Sequence, residues 1–533
     1  MSSYVDYKAS KEAFVSGMTG STIFHINMVS SVALASIALH SCLRSRLPPT
    51  KSLQLPIELL LLVAPLLLSM TLFALTPGLL ILVLIFPTAL LLLLPARELG
   101  TPLPSNADIS PRSSPVPSHR LPRSPPNGPS TRSIIPLPAL STYRAHMMLM
   151  TILAILAVDF PVFPRSLAKC ETYGVSLMDI GVGSFVFSQG IVSAIPLIRD
   201  PIYLKSPIIP KAIHTLKKCA PILILGIVRV LLVKGTEYPE HVTEYGVHWN
   251  FFLTLGIIPV LQVLLHPLIS RVPVALIGIA VALCHQFGLS HGLKSYVLNA
   301  PRSNLINANK EGIVSLTGYF AIHLLGLSTG TLILPPSPSF FRRRQQKAGH
   351  VKRESESEFN KTPPRSIHRE NDKTATELFS YTFIWWTLLG ATRLVGIGGE
   401  GVSRRLVNLP YIFWVAAYNT SFILGYLLLD LYFFPSPLSK SVYSPTSKLK
   451  VHADASHLLN QQQEVQSAPA LLEAINRNGL AIFLLANVAT GLVNLSMSTM
   501  HASDASAMTV LTLYASVICL FAWAMRGRRV WRL

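Results

Sequence analysis

The chain has 533 residues, of which 50% are hydrophobic and only 13% are charged, and its formal net charge is +20. Soluble domains carry about 25% charged residues, so this composition excludes an ordinary soluble protein. The Lys and Arg residues fall largely in loops between apolar segments, a distribution that controls membrane topology, and no nucleic-acid-binding motif accompanies them. We therefore expect an integral membrane protein that binds membrane lipids and no nucleic acid.

The cysteine pattern gives no sign of a disulfide framework or a zinc site. There are five cysteines, an odd number, and none of them has CxxC spacing. The first twenty residues are polar, include Asp6 and Glu12, and lack the basic start and early apolar core of a cleaved signal peptide. We expect no metal, and we expect the first apolar segment to remain as a membrane anchor.

Apolar runs of about 20 residues are long enough to cross a bilayer as helices. Because lipid cannot hydrogen-bond the backbone, the expected fold is an all-α polytopic membrane protein. The sequence predicts about thirteen transmembrane helices. Their approximate limits are 24–43, 53–74, 76–96, 144–159, 175–198, 213–234, 246–266, 271–290, 312–334, 378–397, 409–430, 479–497 and 505–525.

The loops predict an orientation for these spans. With thirteen spans the basic loops all fall on one side, which the excess of Lys and Arg marks as cytosolic. The N-terminal segment 1–23 would then be lumenal, and the tail 526–533 would be cytosolic. Two helices more or fewer would satisfy the same test. Low-complexity composition predicts disordered cytosolic loops at 99–142, 341–376 and 433–470.

The densest cluster of polar residues lies at 159–188. Asp159 ends an apolar helix, because Pro161 and Pro164 cannot continue it. Charged side chains at bilayer depth are expensive and are therefore candidates for function. The charged residues that follow are Arg165, Lys169, Glu171 and Asp179.

Two interpretations of this cluster remain open. In the first, Asp159 forms an ion pair with Arg165 or Lys169 that anchors the loop, and Asp179 hydrogen-bonds between helices. In the second, a carboxylate and a lysine act as a base and an oxyanion donor in an acyl transfer. Gly183 and Ser184 belong to a face of small residues that another helix or an acyl chain could approach closely.

A second polar group occupies residues 237–252. If this segment is helical, Glu240, Glu244 and His248 share one face. Their spacing is not a known zinc-ligand spacing, and an interfacial aromatic belt is the simpler alternative. Further polar positions near or within apolar runs are Trp249, Asn250, Arg405 and Asn494.

Several segments resemble one family in the right order along nearly the whole chain. The most specific are ILAVDFPVFPRSLAKCETYGVSLMDIGVGSFVFSQGIVS at 155–193 and EYPEHVTEYGVHWNFF at 237–252. The others are KEAFVSG at 11–17, NKEGIVSLTGY at 309–319, SRRLVNLPYIFWVAAYN at 403–419 and NGLAIFLLANVATGLVNLSM at 478–497. They look like the blocks of the inositol acyltransferases of glycosylphosphatidylinositol (GPI) anchor synthesis, which include fungal wall transfer proteins and animal PIG-W.

The resemblance implies an enzyme of the endoplasmic reticulum membrane, with residues 24–525 as its acyltransferase domain. It would move a fatty acyl group, usually palmitoyl, from acyl-CoA to the inositol 2-hydroxyl of glucosaminyl-phosphatidylinositol, with no bound cofactor. The resemblance also implies that the polar blocks face the lumen and that Asp159 and Lys169 are the catalytic pair. Candidate substrate-binding residues are Arg165, Glu171, Asp179, Gly183, Ser184, Glu244, His248, Trp249, Asn250, Arg405 and Asn494.

Three alternatives compete with this prediction. A multi-span lipid transporter would also carry intramembrane charges, although no internal repeat is visible. A non-catalytic scaffold subunit would tolerate neutral substitutions at the polar cluster. An acyltransferase that uses an intramembrane histidine as its base would point to His285 or His323.

Overall fold

The computed structural model describes residues 17–47, 53–95, 137–170, 173–235, 242–339, 369–397, 401–434 and 468–530, with positions 10, 13–14, 134, 341 and 399. These parts of the chain are helical, and their only β pairing is two isolated bridges. The principal helices are α1 (Ile23–Arg44), α2 (Leu55–Met70), α3 (Pro77–Leu92), α4 (Pro138–Ala157), α5 (Leu177–Arg199), α6 (Ile208–Gly235), α7 (Phe251–Leu264), α8 (Val274–Gly288), α9 (Lys310–Ile333), α10 (Asn371–Leu394), α11 (Leu409–Phe433), α12 (Gly479–Ser496) and α13 (Asp504–Ala524).

Each of the thirteen predicted spans overlaps one of these helices. Within the described residues, eight helices are long and apolar enough to cross a membrane, with α8 counted together with its continuation as Val274–Asn299, and α2, α3 and α7 are shorter apolar helices. Helices α6 and α10 are long but are not among those eight. The prediction of an all-α multi-pass membrane protein is confirmed, whereas the count of thirteen crossings stays a prediction.

The predicted limits of the low-complexity loops are wrong at their C-terminal ends. Helix α4 begins at Pro138, so residues 138–142 of the predicted loop 99–142 are helical, and α10 begins at Asn371, inside 341–376. The polar first turn of α10 hid its start, whereas α4 starts at a proline, which suits the first turn of a helix. Of the rest of these loops, and of 433–470 between Phe433 and Ala470, the structure describes only positions 134, 137, 341, 369–370, 434 and 468–469.

Helices α9 and α11 form the centre of the bundle, since 78% of the residues in the 18-residue apolar stretch of each helix are buried. Helix α9 runs parallel to α5, and glycines let the two backbones touch. A Cβ atom at Gly326 would collide with the backbone of Phe187, and one at Gly330 would collide with the backbone of Ile191. Small residues at such crossings are typical of helix packing in membranes.

Irregular segments form a layer over one end of the bundle, which we call the polar cap: residues 17–22, 158–170, 173–176 and 401–408. An antiparallel bridge joins Ser21 to Val175, and a parallel bridge joins Gly174 to Ser403. Gly174 has φ of 118°, a left-handed conformation that favours glycine. The cap therefore brings together segments that lie far apart in the sequence.

Candidate functional site

The polar cap begins where α4 stops. The backbone N–H of Asp159 donates to Leu156 O at 3.1 Å, and the chain then turns away at the two prolines. The Arg165 guanidinium donates to the carbonyl oxygens of Phe160 at 3.0 Å and Phe163 at 2.8 Å. Arg165, a predicted substrate-binding residue, therefore holds the shape of this turn.

Asp159 is 3% exposed and is held by α12. The Asn494 amide donates from Nδ2 to Asp159 Oδ2 at 2.8 Å. Asn494 Oδ1 in turn accepts from the Thr499 hydroxyl at 3.1 Å. Asn494 thus fixes the orientation of the carboxylate, which gives this predicted residue a positioning role.

A chain of alternating charges crosses the cap. Lys169 Nζ lies 2.9 Å from Glu244 Oε1, Arg404 Nη2 lies 3.4 Å from the same oxygen, and Arg404 Nε lies 2.9 Å from Asp179 Oδ1. The Arg404 and Asp179 side chains are 2% and 0% exposed, whereas the Lys169 side chain is 36% exposed. The accessible end of the chain is therefore Lys169, which pairs with Glu244.

Asp179 uses its carboxylate to build the cap. Besides the Arg404 pair, its Oδ2 accepts from Cys170 N at 3.0 Å and from the Ser176 hydroxyl at 2.9 Å. Ser176 also caps α5, because its side chain accepts from Asp179 N. The Tyr411 hydroxyl donates to the backbone carbonyl of Asp179 at 2.8 Å. Asp179 therefore ties the loop to α5 and α11, as expected for a contact between helices.

Electrostatics separate the charged groups of the cap. Burial lowers the pKa of Arg404, but Glu244 and Asp179 outweigh that effect and hold the pKa well above its usual range. Burial, partly offset by Asp159, lowers the pKa of Arg165 to about 10, so this guanidinium stays charged at neutral pH. Burial and then Asp179 raise the pKa of the Cys170 thiol, so a thiolate nucleophile is disfavoured there.

A cavity of about 290 Å³ lies directly beneath the cap. Asp159, Lys169 and Glu244 line one end, which we call the polar end. One face of α4, from Tyr143 to Val158, follows the cavity over 15 residues, which at 1.5 Å per residue is about 22 Å. The cavity is therefore long and narrow.

The middle of the cavity is apolar, and its far end is polar again. Among the lining residues on α4 are Met147, Met150, Ala154 and Ile155. The far end, which we call the closed end, is lined by Tyr143, His146 and Tyr426, and His146 Nδ1 lies 2.8 Å from the Tyr426 hydroxyl. Such a chamber suits a long apolar chain with its reactive group beside Asp159 and Lys169.

The structure brings part of the predicted site together. Asp159, Lys169, Ser184 and Glu244 line the cavity, and Asp179 and Asn494 support them from behind. Glu171 lies outside the described residues.

Gly183 does not line the cavity, contrary to the idea that it would contact an acyl chain. A Cβ atom there would lie 2.5 Å from Val415 Cγ2 and 2.9 Å from the Tyr411 hydroxyl. The glycine therefore serves the crossing of α5 and α11. On α5 the small residues that do face the cavity are Gly181 and Ser184.

The block at 237–252 is not one helix. A short helix, Val242–Tyr245, ends at Gly246, whose φ is 112°. Glu244 and His248 therefore do not share a helical face, and Glu240 lies outside the described residues. The helix breaks because Gly246 adopts a left-handed conformation that ends it. The next residue is held by a distant segment, since Val247 N donates to Ala308 O at 3.0 Å.

Three other predicted residues of this region hold loops in place. The backbone N–H groups of His248 and Trp249 donate to Asn309 Oδ1 at 2.8 and 2.9 Å. Asn250 caps α7 and donates from Nδ2 to Gly226 O at 2.7 Å. None of the three lines the cavity.

Arg405 also lies away from the cavity. It pairs with the fully buried Glu311 at 3.2 Å, and Arg302 joins the same carboxylate at 2.6 Å. Its neighbour Arg404, which points to the Asp179 side of the cap, was not among the predicted site residues. The adjacent pair of arginines was visible in the sequence, but only the packing of the helices decides that Arg404 contacts the cavity-lining Glu244.

The two histidines of the alternative acyltransferase mechanism form hydrogen bonds away from the cavity. His285 Nε2 lies 2.9 Å from Leu406 O, and His323 Nε2 lies 2.7 Å from Gln262 Oε1. Neither residue lines the cavity. A mechanism based on either histidine is therefore disfavoured.

The fold and the site define a class: a multi-pass helical membrane protein with a ligand chamber that ends at a carboxylate and an amine. The GWT1 family model matches residues 7–525, so the chain belongs to the GWT1 family. It is 45% identical to GPI-anchored wall transfer protein 1 of Cryptococcus neoformans var. grubii over 80% of this chain and 69% of that protein. It is 39% identical to the protein of that name in Aspergillus fumigatus, over 98% of both chains.

Proposed function

We propose that this protein is an acyltransferase of GPI-anchor synthesis. It moves a fatty acyl group, palmitoyl in the simplest case, from acyl-CoA to the inositol 2-hydroxyl of glucosaminyl-phosphatidylinositol. The observation that carries this proposal is the placement of Asp159 and Lys169 at one end of a long apolar cavity. The names of its relatives, GPI-anchored wall transfer proteins, support the pathway.

The cavity would hold the acyl chain, with the thioester at the polar end. Each buried methylene contributes about 0.8 kcal/mol, so the apolar middle favours a long chain. Asp159 takes the proton of the inositol hydroxyl, whose oxygen attacks the thioester carbon. The tetrahedral intermediate then collapses, the carbon–sulfur bond breaks, and the CoA sulfur leaves as a thiol with the proton that Asp159 held.

Lys169 would stabilise the negative charge on the carbonyl oxygen of that intermediate. A positioned donor of this kind is typically worth about 10² to 10³ in rate. Glu244 Oε1, 2.9 Å from the Lys169 ammonium, holds that side chain at the polar end of the cavity. Asn494 orients the Asp159 carboxylate so that one oxygen can receive the proton.

The proposal includes an orientation. The polar cap would face the lumen of the endoplasmic reticulum, with the N-terminus on that side and the C-terminus in the cytosol. Helices α5 and α9 pack parallel to each other, and three helices, α6, α7 and α8, lie between them in the chain. This supports an order in which each of those three helices crosses the membrane once. A tag that can be protected from protease, placed at either terminus in sealed microsomes, tests this orientation.

The test of the reaction uses purified protein, labelled palmitoyl-CoA and glucosaminyl-phosphatidylinositol. We expect label in an inositol-acylated lipid with the wild type, and a loss of about 10² to 10⁴ in rate with Asp159→Asn, the range for a positioned base. The matched control is Asp504→Asn, an exposed carboxylate at the start of α13.

Three results would contradict the proposal. Label transfer at wild-type rate by a folded Asp159→Asn protein would remove the base from Asp159. No label with a folded wild type would remove the reaction itself. Movement of the unchanged glycolipid across a proteoliposome membrane, without acylation, would favour the lipid transporter.

A further inference from the structure

The cavity opens sideways toward the membrane. Of the residues that line it, Arg229 on α6 and Asn487 on α12 are exposed, and the others are buried or partly buried. Helix α6 packs mainly on α7, whereas α12 packs on α4 and α13. The two exposed lining residues therefore mark a lateral mouth between α6 and α12.

Arg229 lies at the level of the polar end. It follows Gly226 by one helical turn, and the Gly226 carbonyl accepts from Asn250 Nδ2 at 2.7 Å. Asn250 begins α7 immediately after the segment that places Glu244 in the cavity wall. The cation thus lies beside the reactive end of the chamber rather than beside its closed end.

The mouth extends from Arg229 toward the middle of the bundle. Asn487 lies seven residues before Asn494, the partner of Asp159, and seven residues of helix span about 10 Å. The opening is therefore a slit along the bundle with its cation at the polar end. That shape suits a lipid whose headgroup lies at Arg229 and whose chains lie along the slit.

Arg229 is chemically unusual at this position. Charged side chains in membrane helices are costly, and they normally pair with one another or mark a ligand path. Among the described residues, Arg229 has no ion pair or side-chain hydrogen bond, and it lines the cavity. A guanidinium can hold a phosphate through two parallel hydrogen bonds.

We propose that Arg229 binds the phosphodiester of the acceptor lipid, which enters the chamber through the slit between α6 and α12. This inference rests on the proposed function, since it gives that function a route for its glycolipid. The same chemistry could instead hold a phosphate of the soluble acyl donor. The depth of Arg229 beside a membrane-facing opening favours the lipid.

The test compares Arg229→Gln and Arg229→Lys with the wild type in the purified full chain. We expect Arg229→Gln to raise the KM for glucosaminyl-phosphatidylinositol at least tenfold, with the KM for palmitoyl-CoA and the kcat at saturating acceptor unchanged. Arg229→Lys should restore part of the loss, because it keeps the charge but not the paired hydrogen bonds. The matched control is Lys217→Gln, an exposed cation on the same helix that does not line the cavity.

Two kinetic outcomes would overturn the inference. A rise in the KM for palmitoyl-CoA alone would assign Arg229 to the donor phosphates. Unchanged constants for both substrates in a folded Arg229→Gln protein would make Arg229 a surface cation without a ligand.

A binding measurement separates this inference from the proposed reaction. Native mass spectrometry of the detergent-purified protein would count bound phosphatidylinositol and diacylglycerol, which differ in the phosphodiester headgroup. We expect Arg229→Gln to lose phosphatidylinositol selectively, even if no acyl transfer is detected in any variant. Equal retention of phosphatidylinositol by the wild type and Arg229→Gln would contradict the lipid site.

Discussion

Asp159 and Asp179 are both buried carboxylates of the same polar cap, and they differ in what their oxygen atoms contact. Asp179 is fully buried, and Arg404, Cys170 N and Ser176 donate to it. Asp159 lines the cavity, and an amide from α12 orients it. Burial alone therefore does not distinguish the two carboxylates, whereas access to the cavity does.

The cations of the cap differ in the same way. Arg404 is 2% exposed and pairs with Asp179 and Glu244, while Lys169 is 36% exposed and lines the cavity. Arginine suits the buried pair because its planar guanidinium donates several hydrogen bonds from one side chain. Lysine suits a site where one mobile ammonium must follow a charge that develops during reaction. We infer that Asp179 and Arg404 build the cap and that Asp159 and Lys169 act within it.

The largest effect on stability should follow the loss of Asp179. Asp179→Ala leaves Arg404 buried with Glu244 as its remaining partner, and breaking a buried pair typically costs about 3–5 kcal/mol. Thermal unfolding of the detergent-purified protein would measure this loss. Asp159→Ala should lower the unfolding temperature far less. If the two alanine variants lose equal stability, the distinction between a structural and a reactive carboxylate fails.

Lys169→Met should lower kcat about 10² to 10³, the range for loss of one oxyanion donor. Arg404 continues to pair with Glu244, so the fold should survive. Single-turnover transfer from labelled palmitoyl-CoA would measure the chemical step. Lys373→Met is the matched control, because Lys373 forms an exposed pair with Glu370. An unchanged rate in Lys169→Met would remove its role in the reaction.

Gly183→Ala should cost about 1–3 kcal/mol of stability, because its Cβ meets Val415 in a packed crossing. The matched variant is Gly181→Ala, whose Cβ would have Thr151 Oγ1 at 3.8 Å as its nearest neighbour. Gly181→Ala should therefore unfold near the wild-type temperature. Thermal unfolding of both variants provides the comparison, and equal stability of the two would contradict the assignment of Gly183 to helix packing.

The smallest effect should appear at the closed end of the cavity. His146→Ala removes a ring from that end, so the preferred acyl chain should become longer by one or two carbons. At about 0.8 kcal/mol per methylene, each added carbon changes relative transfer about fourfold. Competition among acyl-CoAs of graded length would measure the profile, with His291→Ala, an exposed histidine, as control. An unchanged profile would place the acyl chain outside the cavity.

The sequence predicted the helices well because the signals for them are local. Apolar runs define spans, and Pro161 and Pro164 end α4 close to the predicted position. The predicted start of α4 came late because Ser141, Thr142 and Tyr143 are polar. The burial of Tyr143, and that of His146, depends on α11. Tyr143 donates to Asn419 and His146 contacts Tyr426, partners that lie more than 270 residues away.

The candidate site was predicted in part. The cost of charge in a membrane marked Asp159, Lys169, Asp179 and Glu244 as candidates, and all four lie in the cap or the cavity wall. Sequence spacing suggested Asp159 as a partner for Lys169, but the lysine pairs with Glu244, 75 residues away. Pairing depends on the positions of side chains in the folded bundle, which spacing along the chain does not define.

The sequence by itself determined that this is a helical multi-pass membrane protein, that a helix stops just before Asp159, and that charged residues occur at positions where burial in lipid is costly. Only the tertiary structure decided which of those charges face a chamber and which seal the fold. It separated Arg404 from Arg405, placed Gly183 in a helix crossing, and brought Arg229 to the mouth of the cavity. The physical reason is that periodicity and chain breaks act over a few residues, whereas burial and ion pairing depend on the packing of distant helices.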